Sequence, residues 1–170
     1  MGNKEHMKII QNCTVEEWNR WRADNTRIQP DLTRIDLSDR DLTGIDFRGV
    51  GLFKANFQNA VLRNSIMRQS IAIKADFRGS DLTGAFVYGI SAWDVETNEK
   101  TVQKDLIITE PKEAIITVDN LQLAQFLHLL LNNKNIRDII QVMSNKAVLI
   151  LGRFAYDHLA VLQAIRESLR

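Results

Sequence analysis

Large apolar residues recur at an interval of five from Leu32 to Val87, without a slip. The positions are Leu32, Leu37, Leu42, Phe47, Leu52, Phe57, Leu62, Met67, Ala72, Phe77, Leu82 and Val87, and only Ala72 is small. An α-helix repeats about every 3.6 residues and a half-buried strand roughly every second residue, so neither accounts for this spacing. Two residues before these centres stand Ala55, Ala60, Ser65, Ser70, Ala75, Ser80 and Ala85. Two residues after them stand Gly44, Gly49, Gly79, Gly84 and Gly89, with Asn59 and Asn64 in the same phase. Glycine and asparagine tolerate the positive φ of a turn. Each unit therefore supplies a large inward side chain, a small inward side chain and a corner.

The units "KANFQ", "KADFR" and "GSDLT" closely match the pattern A(D/N)LXX, and through residues 30–89 the chain resembles the pentapeptide-repeat family. The resemblance implies a right-handed quadrilateral β-solenoid with four units to a coil. Twelve units then make about three coils, a stack about 15 Å tall at a strand spacing of about 4.8 Å. Folding the sequence at twenty residues gives interior ladders of Leu37, Phe57 and Phe77, of Leu42, Leu62 and Leu82, and of Phe47, Met67 and Val87. Neighbouring coils bury such ladders continuously. The first coil strains the pattern. Ile35, Ile45 and Val50 are large for the small inward site, and an unpaired Arg40 there carries a heavy desolvation cost. A distorted first coil is expected, with Arg40 turned outward or held near the N-terminal cap.

Residues 1–29 read as that cap. Thr14 and Glu17 have the spacing of a capping box, which starts a helix bearing Trp18 and Trp21. After the repeats, Trp93 is expected to plug the far end, and polar residues 92–105 read as a linker. The remainder, 106–170, reads as an α/β extension. Its parts are short strands in "DLIIT" and "EAIITV", an almost wholly apolar helix capped by Asp119, a helix "NIRDIIQVMSN", a buried strand "KAVLIL" and a last amphipathic helix. This resembles the start of a bacterial TIR-like, doubly wound domain, through "SAWDV", "ITVDNLQLAQFLHLLLNN", "IRDII" and "KAVLILGRF". The glutamate with which such domains cleave NAD has no counterpart before residue 170. In a doubly wound fold the strand end at Gly152 and Arg153 is the ligand position, and a single glycine makes these only weak cofactor-binding candidates.

Chemistry-bearing residues are sparse. Charge is balanced, with 22 basic and 21 acidic residues, so nothing calls for nucleic acid or an anionic membrane. One cysteine, Cys13, excludes an internal disulfide framework. The three histidines fall in unrelated segments, without metal-ligand spacing. Outward Arg48, Arg68 and Tyr88 form a ladder, with Arg63 and Arg78 on adjoining faces, and nearby aspartates offset it. It reads as a solvated face. No catalytic constellation, metal or cofactor is expected, and neither is a signal peptide or a membrane span. The leading expectation is a cytoplasmic, non-catalytic interaction or scaffold module. The runner-up is a regulatory part of a TIR-like signalling or defence protein. DNA mimicry against a topoisomerase, known in the resembled family, calls for a long acidic rod instead. Assembly is expected as a homodimer or higher homo-oligomer through Leu123, Phe126, Leu127, Leu130, Leu149 and Leu151, beside an unidentified protein partner.

Overall fold

A computed structural model describes residues 2–132, which fall within one compact unit, Met1–Asn133. Helices α1 (Lys4–Gln11) and α2 (Val15–Asp24) precede the repeats; a two-stranded antiparallel sheet, β1 (Leu106–Ile107) and β2 (Thr117–Val118), and helix α3 (Leu121–Asn132) follow. Between Asp31 and Ile107 the chain winds with four columns of parallel bridges, one column to a side. One column runs Asp31–Gly51–Ile71–Ser91 and the next Asp36–Asn56–Asp76–Glu96. Each bridge is fixed by backbone bonds to the neighbouring coil, such as Leu37 N to Asn56 O and Asn56 N to Ile35 O, both 2.8 Å.

The corners explain the five-residue unit. The residue two after each centre has a positive φ, for example 73° at Gly79 and 56° at Asn59, and the next N–H closes a turn onto the centre's carbonyl, as Ala60 N does on Phe57 O at 3.0 Å. At Gly79 a Cβ would also strike Asn59 Oδ1 of the coil below. Where an acid or amide precedes the centre, it secures the corner from outside. Asp36 Oδ1 accepts from Ser38 N and Ser38 Oγ at 3.0 and 2.7 Å, and Asp41, Asp76 and Asp81 repeat the arrangement on the backbone N–H two residues on.

Inside, the centres and the small sites are closed off from water. Leu37, Leu42, Phe47, Phe57, Leu62, Met67, Phe77 and Leu82 all have no exposed surface. Phe57 and Phe77 stack with centroids 5.2 Å apart and planes within 4°, and Phe47 leans on Phe57 at 5.8 Å. The first coil holds the same backbone register as the others. Ile35, Ile45 and Val50 are buried in it, because Ile10 and Trp18 of the cap fill the space below instead of another coil. Arg40 is the exception: its guanidinium turns to the cap and donates to Ile10 O at 3.0 Å and Cys13 O at 3.4 Å.

The N-terminal segment holds two helices where the sequence suggests one. Asn3 caps α1 and the Thr14–Glu17 box caps α2. Together they close the open edge of the first coil, whose outward N–H and C=O groups have no coil below them. Asn19 Oδ1 accepts from Asp46 N (2.8 Å), Trp18 Nε1 donates to Asp46 O (2.8 Å), and Asp31 N donates to His6 Nδ1 (3.1 Å). Arg22, nearly buried, donates to Arg48 O and to Ile28 O.

Two expectations need correcting. The solenoid has a fourth coil, and residues 92–105 are not a linker: Asp76 bridges Glu96, Asp81 bridges Val102 and Phe86 bridges Ile107. The last two steps span 21 residues, and this one extra residue is what breaks the periodicity in the sequence. It lies in the corner where Asn98 Oδ1 accepts from Gly79 N and Thr101 Oγ1 donates to Phe77 O, both at 3.0 Å. Strand β1 is thus the last rung of the solenoid as well as the first arm of the hairpin. The second correction concerns α3, which is capped by Asn120, whose Oδ1 accepts from Leu123 N at 2.9 Å; Asp119 instead accepts from Asp105 N. The expected elements after Asn132, with Leu149, Leu151, Gly152 and Arg153, lie outside the described residues.

Replacing Phe57 or Leu62 by alanine opens a cavity between coils and is expected to cost about 3 kcal/mol or more. Gln58→Ala, which loses a part-buried bond to Asp76, is expected to cost about 1 kcal/mol; thermal denaturation of the three variants checks the register. The corner carboxylates set a second expectation. Hydrogen bonds from Ser38 lower the pKa of Asp36, and the Arg78 side chain lowers that of Asp76. At Asp46 burial raises the pKa, but the Arg48 side chain and backbone N–H outweigh it and the net shift is downward. Carboxylates held below their unfolded value, about 3.9 for aspartate, stabilise the fold above that pH, and the contribution disappears as pH falls through the folded values. Melting temperature should hold through neutral pH and drop below about pH 4.

Candidate functional site

The C-terminal end of the solenoid is closed by α3, not by Trp93. Leu121, Ala124 and Gln125 are buried against the last coil, and Leu121 N donates to Gln103 Oε1 at 2.8 Å. Gln125 Oε1 accepts from Ala92 N, the bond that a fifth coil would otherwise supply. His128 meets the Tyr88 ring edge-on, with centroids 4.7 Å apart. Trp93 instead stands on the outside, 55% exposed. The register explains this. Ala92 is the next inward centre after Val87, so Trp93 takes the outward corner phase that Tyr88 holds one unit earlier.

The exposed side of α3 joins Trp93 in one apolar surface. Of the residues read as an interface, Leu123 and Phe126 are exposed, Phe126 by 58%, while Leu127 and Leu130 are half-buried. Trp93, Phe126 and Leu129 border a shallow groove floored by Ala92 and Gln125. Ile115 and Ile116, in the arm leading into β2, are also exposed, Ile115 by 72%. Sequence reading missed Trp93 and Leu129 as members of this surface. Carrying the five-residue register one unit further would have found Trp93.

The arginine ladder is the second feature. Gly49 N donates to Arg68 O and Gln69 N to Tyr88 O, both 3.0 Å, so Arg48, Arg68 and Tyr88 lie one above another on successive coils. Arg48 forks onto Asp46 through Nε and Nη2. Arg78 does the same to Asp76, and Arg63 reaches Asp81 on the next coil at 2.6 Å. The Glu110 carboxylate, then burial, then the charges of Glu110 and Glu113 raise the pKa of Tyr88.

Among the described residues no group of three or more histidine, cysteine or acidic side chains could hold a metal ion, and no helix is long and apolar enough to cross a membrane. His6 and His128 serve packing and hydrogen bonding. Burial, then Glu17, raises the pKa of Cys13, which keeps it a thiol.

Residues 31–69 match the family model for pentapeptide repeats in eight copies. No curated protein matches the chain. Similar solved structures include a pentapeptide repeat protein from the cyanobacterium Cyanothece 51142, at 24% identity over 44% of this chain and 65% of that one, with a TM-score of 0.23. Another, from the Arabidopsis thaliana thylakoid lumen, is 19% identical over 58% of this chain and 89% of that one, with a TM-score of 0.29. A third, HetL of Nostoc sp. strain PCC 7120, involved in heterocyst differentiation regulation, is 23% identical over 51% and 43%, with a TM-score of 0.24. This chain thus spans less than two thirds of the first and third of these proteins.

Gln125 is the polar member of the C-terminal closure that the backbone depends on. Gln125→Ala leaves Ala92 N buried without an acceptor and is expected to cost about 1–3 kcal/mol. Exposed Gln122→Ala, on the same helix, should stay within about 0.5 kcal/mol; paired denaturation curves measure the difference.

Proposed function

We propose that this chain is a non-catalytic protein-interaction module in which a rigid solenoid presents surfaces at its ends and assembles with a second copy through its C-terminal part. The observation that carries this reading is the apolar surface of Trp93, Leu123, Phe126 and Leu129, with Ile115 and Ile116 of the hairpin also exposed. Large apolar side chains gathered on one face mark an interaction site far more often than a free surface. The solenoid itself is suited to support it. Its backbone bonds are satisfied between coils and its interior is close-packed, so the surface is held on a stiff base instead of a mobile loop.

A two-fold homodimer is the simplest assembly for one self-complementary apolar patch. Phe126 is its central anchor, as buried aromatics dominate interface energetics. Light scattering of the full chain should give a dimer mass at micromolar concentration. Leu123→Glu combined with Phe126→Glu changes only exposed side chains and should shift the mass to a monomer with an unchanged melting temperature. A monomeric parent protein, or a dimer that persists in the double variant, overturns the reading.

A further inference from the structure

Four arginines, Arg48, Arg63, Arg68 and Arg78, occupy the same phase of the repeat, one residue after an inward centre. An arginine in that phase has two places from which a carboxylate reaches it. One is two residues earlier on its own coil, used by Arg48 with Asp46 and by Arg78 with Asp76. The other is eighteen residues later, on the next coil, used by Arg63 with Asp81. For Arg68 both places are apolar, Ile66 and Phe86. Its side chain is half-buried, and among the described residues its Nε is fully buried with no hydrogen-bond partner. A buried guanidinium N–H without an acceptor is costly, and here nothing in the repeat offsets it.

The surroundings are shaped to receive an acceptor. Arg68 opens into a cleft lined also by Arg48, Gln69, Tyr88 and Glu110. A second depression shares Arg48 and Gln69 with it and reaches Arg22, whose Nε is likewise buried without a partner. Three guanidinium groups thus meet here, with Asp46 beside Arg48 and with Glu110 and Glu113 near Tyr88. Asp46 is engaged by both prongs of Arg48, and Glu110 acts on the Tyr88 phenol. Among the described residues Arg68 is the one arginine of its phase that makes no ion pair.

We propose that this cleft binds a phosphate group, with Arg68 as the principal ligand and Arg48, Gln69 and Tyr88 at its sides. A carboxylate already stands at the rim, in Glu110, and leaves Arg68 Nε unpaired. A tetrahedral dianion has enough terminal oxygens to accept from the Arg68 fork and the Gln69 amide together. A nucleic-acid strand is disfavoured, because tracking a backbone takes a row of free cations and the other three arginines of this phase are already paired with aspartates. The site stands on observations independent of the dimer surface.

The test uses the full chain, following the arginine Nε–Hε NMR signals during titration with inorganic phosphate at neutral pH and fixed ionic strength. A saturable shift of the Arg68 signal is expected. Arg68→Ala should weaken phosphate binding, read from the remaining shifts, by about tenfold or more, with a melting temperature that does not fall. Arg68→Lys, which keeps the charge and loses the fork, should weaken it less than alanine does but measurably. Glu110→Gln, which removes the competing carboxylate, should tighten binding by about threefold. No saturable shift, or equal affinity in Arg68→Ala, overturns the proposal. Acetate binding as tightly as phosphate overturns the assignment of a phosphate group. A single-stranded oligonucleotide binding more tightly than phosphate, with affinity that falls steeply with salt, replaces it with a nucleic-acid site.

Discussion

Every coil of this protein completes the hydrogen bonds of the coil before it, and the molecule depends on that dependence being closed at both ends. A column such as Asp31–Gly51–Ile71–Ser91 is a ladder one residue wide, so no strand is long enough to be stable by itself. What makes the rungs hold is that four columns share one interior. Phe57 cannot leave Phe77 without opening the sides that Leu62 and Leu82 also line. The backbone bonds and the apolar interior therefore stand or fall together, as expected where each repeat is stabilised by its neighbours.

The two ends solve the same problem with different chemistry. At the first coil, the cap replaces a missing coil with side chains from two short helices: His6, Trp18, Asn19 and Arg22 each bond a backbone group of the rung above. Trp18 carries the aromatic column outward, edge-on to Phe47 at 6.3 Å and stacked with Trp21 at 5.3 Å. At the last coil, the closure comes from Gln125 and Gln103 around a helix that buries only a narrow face. The N-terminal closure spends its apolar surface inward, whereas the C-terminal one leaves Phe126 and Leu129 outside. That asymmetry is the physical basis for proposing that interaction falls to the C-terminal end.

Much of the repeat was legible because its signals are local. Inward leucines and phenylalanines, small residues two places before them and Gly or Asn two places after them each satisfy one steric demand, visible at fixed spacing. The fourth coil was hidden because Glu99, Lys100 and the extra residue in its corner erase the five-residue period, and polar residues there resemble a linker. What preserves the coil is long-range, since Asn98 and Thr101 bond to Gly79 and Phe77 about twenty residues away, and spacing alone does not announce such partners. Trp93 was misplaced for a related reason: an end-plugging tryptophan is a sound general expectation, but phase decides direction, and its phase is outward. The role of Asp36, Asp41 and Asp81 as clamps on the corners was also overlooked, because as charges they read simply as solvent-facing balance to the arginines. The solitary state of Arg68 appears only when the sequence is folded at twenty and its two acid positions are found to be isoleucine and phenylalanine.

The twenty-residue step has a consequence for what such a body can measure. The cap bonds only to the first coil, and α3 hydrogen-bonds to the last while packing through His128 on Tyr88 of the coil before it, so a coil between these contacts is interchangeable in principle. Adding or removing one whole coil would move the N-terminal cap relative to the apolar C-terminal surface by one strand spacing, about 4.8 Å, while every face kept its phase. Adding a single five-residue unit would instead turn one end by a side. The fold is thus a ruler with two independent settings, graduated in length by coils and in direction by units. The 21-residue final coil is the place where the graduation stops.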